Sequence, residues 1–529
     1  MSLSAGGNDL FVFERNVIAV RKVVTFLLYL HMPAIPNPAE ERSGARLFCE
    51  ALVNEGVDTI FGYPGGAVLH IYDELVNFKD SITHILARHE QGAVHMAEGY
   101  AKVTGKAGVA LVTSGPGATN TVTGLANAYM DSTPLVVVSG QVPTHLLGTD
   151  GFQEIDIVGI TRSCTKYNYL VQSAEEIPEI MREAFYLAAS GRPGPVLIDI
   201  PKDLTAQKAA TTLPDKLNIP GYEPNHFAKE DLVETAVEKI LAAKRPIFYV
   251  GGGIIHSCGA GELRELVEKL SAPVTITLMG LSCFPSAHPN CLGMLGMHGT
   301  YAANMAISEA DLIVAIGVRF DDRVTGNLKT FAPNAQIIHV DIDESSIDKN
   351  VKVHVSLVGN AKDVMQQMLC SLSSKSVFTR ERLDPWWETI EAWRRFAPLS
   401  YDHHPNIIRP QFLCEEISRL TDGEAIISTD VGQHQMWLAQ YYKFKRPRYF
   451  LTSGGLGTMG YGFPAALGAK IAYPNRQVIA FVGDGGFQMT MQELATAVQY
   501  RANLKVIVMN NGFLGMVRQW QEVFYNNNY

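Results

Sequence analysis

The stretch VIAFVGDGGFQMTMQELATAVQYRANLKVIVMNN, residues 478–511, decides the reading of this chain. Its apolar run Val478 to Val482 reads as a buried strand. The run breaks at Gly483-Asp484-Gly485-Gly486, enters a helix-like segment through Tyr500, and returns to a second apolar run, Val506 to Met509, that ends at Asn510-Asn511. In a parallel βαβ unit both strands end on the same edge of the sheet, which brings Asp484 and Asn511 together. One carboxylate and one amide oxygen, beside glycines that admit close approach, suit a magnesium ion holding a diphosphate. Gly-Asp-Gly alone is weak evidence, because acidic loops after strands are common; the spacing to Asn-Asn is much stronger.

At 529 residues the chain exceeds one ordinary domain, and about three are expected. Apolar content of 47% and charged content of 18% describe a globular protein with ample core. A formal charge of −9 with no offsetting basic run argues against nucleic-acid or membrane-surface partners. Seven cysteines stand without CxxC spacing, so reduced thiols and a cytoplasmic location are expected rather than disulfides or a zinc site. Residues 1–38 differ in character. Phe11 to Met32 is mostly apolar but carries Glu14, Arg15, Arg21 and Lys22, and Val23 to Met32 is too short to span a bilayer. A non-functional extension is expected there, with a targeting segment as the lesser reading.

From Pro38 apolar strands alternate with amphipathic segments: Ile82 to Leu86, Val109 to Val112, Leu135 to Val138 and Val196 to Ile200. Continuous apolar strands belong in a parallel sheet covered on both faces. A polar stretch from about Thr205 to Asp231 reads as a linker. A second block follows, with strands near Ile247 to Val250, Val274 to Ile276, Leu312 to Ile316 and Ile337 to Ile342. Ser371 to Pro410 reads as a second linker with its own helix, Trp386 to Phe396, before a third block with strands at Ala425 to Ser428, Val478 to Val482 and Val506 to Met509. The expected domains are 39–205, 230–372 and 408–529. The first and third share a local plan of strand, glycine turn and helix, seen at Leu111 to Gly117 and at Phe481 to Gly486. Only 18 residues follow Asn511, so the third domain reads as incomplete.

With the Gly-Asp-Gly to Asn-Asn pattern stand Tyr63-Pro64-Gly65-Gly66, Arg88-His89-Glu90-Gln91, Ser114-Gly115-Pro116-Gly117, Phe152-Gln153-Glu154, Gly293 to Gly299, Arg319-Phe320-Asp321-Asp322-Arg323 and Gly515 to Gln521. Together, over residues 40 to 525, they resemble the catalytic large subunits of acetohydroxyacid synthase (acetolactate synthase), a thiamine-diphosphate-dependent family. The resemblance implies an α/β fold of three doubly wound parallel-sheet domains. The first and third would be of thiamine-diphosphate-binding type and the middle one would bind FAD.

Taken singly, these residues have bland readings. Glu90 is a helix-starting carboxylate, His434 a loop residue, Met459 and Met489 core, Arg323 a partner of the aspartates before it, and Trp520 a partly buried aromatic. The resemblance implies instead that Glu90 bonds the aminopyrimidine ring and promotes removal of the thiazolium C2 proton. It implies magnesium ligands at Asp484, Asn511 and the Phe513 carbonyl, and diphosphate contacts at Val431, Gly432, Gln433, His434, Gly483, Gly485 and Gly486. Met459 and Met489 would lie against the cofactor rings, Val517 or Met459 would be the apolar wedge between them, and further cofactor contacts are implied at Tyr63, Gly65, Gly66, Gly457, Gly515 and Met516. Arg323 and Trp520 would contact the second keto acid, with Phe152 and Gln153 lining that pocket and Lys202 its access channel. A largely non-redox FAD would lie on Arg192, Gly251, Gly252, Gly253, Met297, His298, Gly299, Arg319, Asp321, Arg323, Asp341, Ile342 and Asn360; at 360 the resemblance leads one to expect Asp.

The implied activity is that of a transferase. Pyruvate is decarboxylated, and its two-carbon unit passes to a second pyruvate or to 2-ketobutyrate, giving 2-acetolactate or 2-aceto-2-hydroxybutyrate for branched-chain amino-acid synthesis. Glu90 of one subunit would meet Asp484 of another, so a homodimer or homotetramer is implied, with a separate regulatory small subunit. The nearest rival is another enzyme of the cofactor class, such as pyruvate oxidase, glyoxylate carboligase or an FAD-free catabolic acetolactate synthase. The rival from a different class is a catalytically silent nucleotide-binding scaffold, against which intact Glu90, Asp484 and Asn511 speak.

Overall fold

The computed structural model describes residues 40–212, 217, 219–375 and 380–529. The expected extension over residues 1–38 lies outside them. Among the described residues no helix is long and apolar enough to cross a membrane, and all seven cysteines are free thiols.

The N-terminal domain is a six-stranded, all-parallel sheet with strands in the spatial order Thr83–Leu86, Thr59–Tyr63, Gly108–Val112, Leu135–Gln141, Pro195–Pro201, Tyr167–Leu170. Gly108–Val112, Leu135–Gln141 and Pro195–Pro201 are buried at every residue, as their near-continuous apolar sequences require. Alternate side chains feed opposite layers: Val136 and Val138 join one hydrophobic cluster, Leu135 and Val137 the other. The central domain repeats the plan with strands Cys291–Met294, Val274–Ile276, Pro246–Val250, Leu312–Ile316, Gln336–Asp341 and Val355–Val358 in that spatial order. The C-terminal domain has four parallel strands ordered Phe450–Leu451, Ile426–Thr429, Val478–Gly483, Lys505–Met509.

The expected strands are present within a residue or two of their sequence limits, with Leu135–Gln141 three longer. Thr59–Tyr63, Tyr167–Leu170, Cys291–Met294, Val355–Val358 and Phe450–Leu451 are additions to those expected: a glycine or polar residues interrupt the first four, and the last is only two residues long. The helix-like segment after Asp484 is three pieces, Asp484–Thr490, a 3-10 turn Met491–Glu493 and Leu494–Gln499. The first linker begins with the short helix Lys202–Ala206 and the strand Lys208–Ala209, which pairs antiparallel with Arg42–Ser43 and ties the linker back to the domain it leaves. The helix of the second linker spans Asp384–Phe396. It buries Trp386 and Ile390 in the central domain's core, with Trp386 Nε1 donating to the Pro246 carbonyl at 3.1 Å.

The N- and C-terminal domains meet along two helices, Glu90–Thr104 and Gly462–Ala472. Backbone approaches backbone: a Cβ on Gly99 would collide with the Ala465 carbonyl, and one on Gly468 with the Met96 carbonyl. Neither carbonyl can move without unwinding its helix. Gly99→Val is therefore expected to cost about 3 kcal/mol and to lower the thermal midpoint; an unchanged midpoint would contradict this packing. A second expectation concerns Asp199, wholly buried and accepting from Ser139 Oγ at 2.7 Å and Gln141 Nε2 at 2.9 Å. Burial pushes its carboxyl from the ordinary 3.8 up to about 7. The folded state then binds the extra proton, so this contribution to stability is complete below 3.8 and is lost as pH rises through about 7. Asp199→Asn should accordingly gain thermal midpoint relative to the parent between about pH 5 and about pH 8. A constant difference across that interval would show that Asp199 is ionised in the fold.

Candidate functional site

The C-terminal edge of the third sheet gathers the residues that follow its strands. After Ile426–Thr429 come Val431, Gly432, Gln433 and His434; after Val478–Gly483 comes Asp484; after Lys505–Met509 come Asn511 and Phe513. Asp484 Oδ2 accepts from the Gly512 amide at 3.1 Å, and Asn511 Oδ1 from the Phe513 amide at 3.0 Å, so the two loops share one edge. Gly432 (φ 152°) and Gly483 leave room for the His434 imidazole, which a Cβ at either would approach to 3.0 Å. That ring is buried, its Nε2 has no hydrogen-bond partner among the described residues, and burial pushes its pKa down to about 4. Gly515 packs against Gln433 and Asn511, Gly485 against Leu514 and Met459, and Gly460 against Met489. Among the described residues no group of three His, Cys, Asp or Glu side chains is placed to hold a metal. Of the oxygens at this edge, the Asp484 carboxylate and the Asn511 amide lie on the two adjoining loops joined through the amides of Gly512 and Phe513.

Beside this edge a cleft of about 900 Å³ opens where the three domains meet. Its central-domain wall carries Gly252, Gly253, Met297, His298, Arg319, Asp321, Arg323, Asp341, Ile342 and Asn360, and the N-terminal domain adds Arg192. The C-terminal domain adds Val431, Gly432, Gly457, Met459, Met516, Val517 and Trp520. Arg323 and Trp520, remote in sequence, thus line one cavity. Arg192 bonds Ser132 Oγ at 2.9 Å and pairs with Asp343 at 3.1 Å. Burial pushes the Asp341 carboxyl up to about 6, and the buried Tyr249 hydroxyl on the same wall lacks a partner among the described residues. Gly251 and Gly299 lie behind the lining, where a Cβ would strike the Gly317 carbonyl and the Leu295 backbone. Asn360 caps the helix Ala361–Ser373, its Oδ1 accepting from the Lys362 amide at 3.0 Å.

The remaining residues gather at the C-terminal edge of the first sheet and do not line that cleft. Glu90 starts the helix Glu90–Thr104, is buried, and accepts from Asn120 Nδ2 at 2.9 Å. Gly117, in the turn after Gly108–Val112, brings its backbone up to Glu90 Oε1, and Gly65 packs on Thr113 in the same turn. Gly66 is open on the Cβ side, and Tyr63 is partly exposed. Gln153 sits against Gly115 with φ 61°, and Phe152 beside it is 90% exposed. Lys202 opens the helix after Pro195–Pro201. Within one chain the candidate residues thus fall into two separate groups, one with Glu90 and Gln153, the other with Asp484, Asn511 and the cleft.

Sequence reasoning missed the buried acids that hold these loops. Asp430 accepts from the amides of Val431 (2.7 Å), Gly460 (3.0 Å) and Gly462 (3.3 Å), with its carboxyl pushed up by burial against those bonds. Asp131 accepts from Lys102 Nζ at 2.9 Å and from the amides of Gly454 and Gly455, so the N-terminal domain shapes the loop before Met459. Asn127 ties the same loop through Ser453 and Thr458 and donates to Glu98 at 2.7 Å. The one local signal was an acidic residue directly after the strand Ile426–Thr429, at 430.

Three family matches cover most of the described chain. Residues 42–160 match the thiamine pyrophosphate enzyme N-terminal TPP binding domain, 233–368 the central domain, and 430–529 the C-terminal TPP binding domain. The chain is 51% identical over 490 residues to the acetolactate synthase isozyme 3 large subunit of Escherichia coli, covering 92% of this chain and 85% of that protein. It is 50% identical over 483 residues to the acetolactate synthase large subunit of Lactococcus lactis, covering 91% and 83%, and 49% identical over 486 residues to that of Haemophilus influenzae, covering 92% and 85%. With three TPP-enzyme domains in order and about half of its residues shared with these proteins, the chain belongs to the acetolactate synthase large-subunit family of thiamine-pyrophosphate enzymes.

Proposed function

We propose that this chain decarboxylates pyruvate with thiamine diphosphate and transfers the two-carbon unit to a second pyruvate or to 2-ketobutyrate, yielding 2-acetolactate or 2-aceto-2-hydroxybutyrate for isoleucine, valine and leucine synthesis. The observation that carries the reading is the third sheet's edge, where Asp484, Asn511 and an unpartnered, buried His434 Nε2 converge. A hard oxygen set of carboxylate, amide and the Phe513 carbonyl fits Mg²⁺, which leaves its other positions to diphosphate and water. The orphaned His434 nitrogen and the glycines around it fit a diphosphate tail. Thiamine diphosphate, when bound, supplies the carbanion chemistry that no side chain can. Glu90 exchanges a proton with the cofactor's aminopyrimidine, and Met459, Met489, Met516 and Val517 shape the apolar wall against its rings. Arg323 offers a guanidinium to the carboxylate of the second keto acid, beside the Trp520 ring, with Gln153 and Lys202 at the approach. The three-domain cleft, with Arg192, Arg319, Asp341 and the unpartnered Tyr249 hydroxyl, fits FAD.

The separation of Glu90 from the cleft of its own chain supports a site shared between two copies, hence a homodimer or homotetramer. The name large subunit, carried by the relatives, supports a separate regulatory small subunit, and the free thiols fit a cytoplasmic enzyme. The domains proposed are 39–205 and 408–529 for thiamine diphosphate and 230–372 for FAD.

Incubation with pyruvate, magnesium, thiamine diphosphate and FAD should yield acetolactate without hydrogen peroxide; peroxide, or no acetolactate, would overturn the reading. Glu90→Gln should slow C2–H exchange of bound cofactor by about 10²–10⁴-fold, and a parental exchange rate would remove Glu90 from the proton relay. Asp484→Ala should raise the magnesium concentration needed for cofactor binding by about 100-fold or more, since even outer-shell partners contribute about 10–100-fold. An unaltered magnesium titration would place the metal elsewhere.

A further inference from the structure

The peptide that leads into Glu90 is held by the C-terminal domain rather than by its own sheet. Thr83–Leu86 is an edge strand, so the backbone groups on its outer side have no strand to pair with. Tyr500 fills that place: its hydroxyl accepts from the Leu86 amide at 2.8 Å and donates to the His84 carbonyl at 3.2 Å. Thr496 Oγ1 lies 3.1 Å from the Leu86 carbonyl, and Arg88 Nη2 donates to Gln499 Oε1 at 2.5 Å. At the centre is Glu493, fully buried. Its carboxylate accepts from the Arg88 amide at 3.0 and 3.1 Å, from the His89 amide at 3.1 Å and from Thr496 Oγ1 at 2.7 Å. Gly92 admits it, since a Cβ there would overlap the carboxylate.

Burial pushes the Glu493 carboxyl up, and its bonds to the Arg88 and His89 amides and the Thr496 hydroxyl, all of which donate to it, act against that shift. The two amides it fixes belong to the residues directly before Glu90, so the direction in which Glu90 leaves the backbone depends on them. Glu493 lies in the run Asp484–Thr490, Met491–Glu493, Leu494–Gln499, the same run whose first residue is Asp484. We infer that Glu493 is a positioning residue for Glu90: it fixes the turn from which that carboxylate projects and ties the turn to the segment that opens with Asp484. The inference rests on the assignment of Glu90 and Asp484 to cofactor chemistry made above.

Glu493→Gln keeps the volume but leaves a single oxygen for the Arg88 and His89 amides and puts an NH2 where Oε2 takes the second Arg88 contact and the Thr496 hydroxyl proton. In the protein without cofactor, amide hydrogen exchange across residues 84–92 should then accelerate about tenfold or more, while the melting profile stays cooperative. In the loaded protein, C2–H exchange of bound thiamine diphosphate and kcat should fall about tenfold or more. Cofactor affinity and the KM for pyruvate should stay within about twofold, because the contacts of Asp484 and Asn511 are untouched. Unchanged amide exchange, or faster amide exchange with parental C2–H exchange, overturns the inference. Should Glu493→Gln not fold, Thr496→Val, which removes one donor and leaves both backbone bonds, should show the same changes at about threefold; no change in either rate overturns it equally. The amide-exchange arm is read without cofactor and so stands apart from the proposed function, which fails instead if the parental protein makes no acetolactate.

Discussion

The close contact of the helices Glu90–Thr104 and Gly462–Ala472 governs how the rest of the molecule is arranged. Two glycines remove the side chains that would hold the helices apart, and the gap closes until carbonyls meet glycine backbone. Inside the interface, polar groups are paired rather than excluded: His95 with Glu98, Glu98 with Asn127, and Lys102 with Asp131 and the Thr452 carbonyl, the Lys102 ammonium also lying 4.8 Å over the Tyr461 ring. Buried charge of this kind is tolerated because each member has its partner, and removing one would strand another. The first and third domains therefore hold one fixed relation. Glu90 is at the start of the very helix that makes the contact, and the loop of Met459 is tied through Asp131 to Lys102 in that helix's last turn.

That relation decides which functional residues meet within a chain. The cleft collects Arg323 from the central domain with Trp520, Val517 and Met459 from the C-terminal domain, next to the edge that holds Asp484 and Asn511. Glu90, Gly65 and Gln153 collect on the first sheet instead. Under the proposed function, this geometry supports an arrangement in which Glu90 and Asp484 of one working site would belong to different copies of the chain.

Much of the fold and of the site is legible in the amino-acid sequence. Where strands are fully buried and β-branched, as at Leu135–Gln141 or Leu312–Ile316, the apolar run is its own signature. The strand-end rule for parallel sheets likewise places Asp484 on the same edge as Asn511 from residue order alone. The rest is hidden for physical reasons. Cys291–Met294 contains a glycine and Phe450–Leu451 is two residues long, so their pairing is dictated by the neighbouring strand rather than by local pattern. Asp131 and Glu493 bond partners some 320 and 400 residues away, a proximity no spacing encodes. Asn360, where the resemblance leads one to expect Asp, lines the cleft and also caps the helix Ala361–Ser373, a second role its local sequence does not announce. The linkers hide their structure for a similar reason: Lys208–Ala209 is a strand only because Arg42–Ser43 lies beside it.

A working site that draws Glu90 from one copy and Asp484 from another is tested most directly by co-expressing Glu90→Gln and Asp484→Ala chains and measuring acetolactate formation by the mixed protein at a magnesium concentration that just saturates the parent, where each variant alone should have little activity. Random pairing in a symmetric dimer leaves one intact site in half the molecules, so the mixture should recover about a quarter of the parental rate. A mixture no more active than its two components would show that both residues serve the site of a single chain.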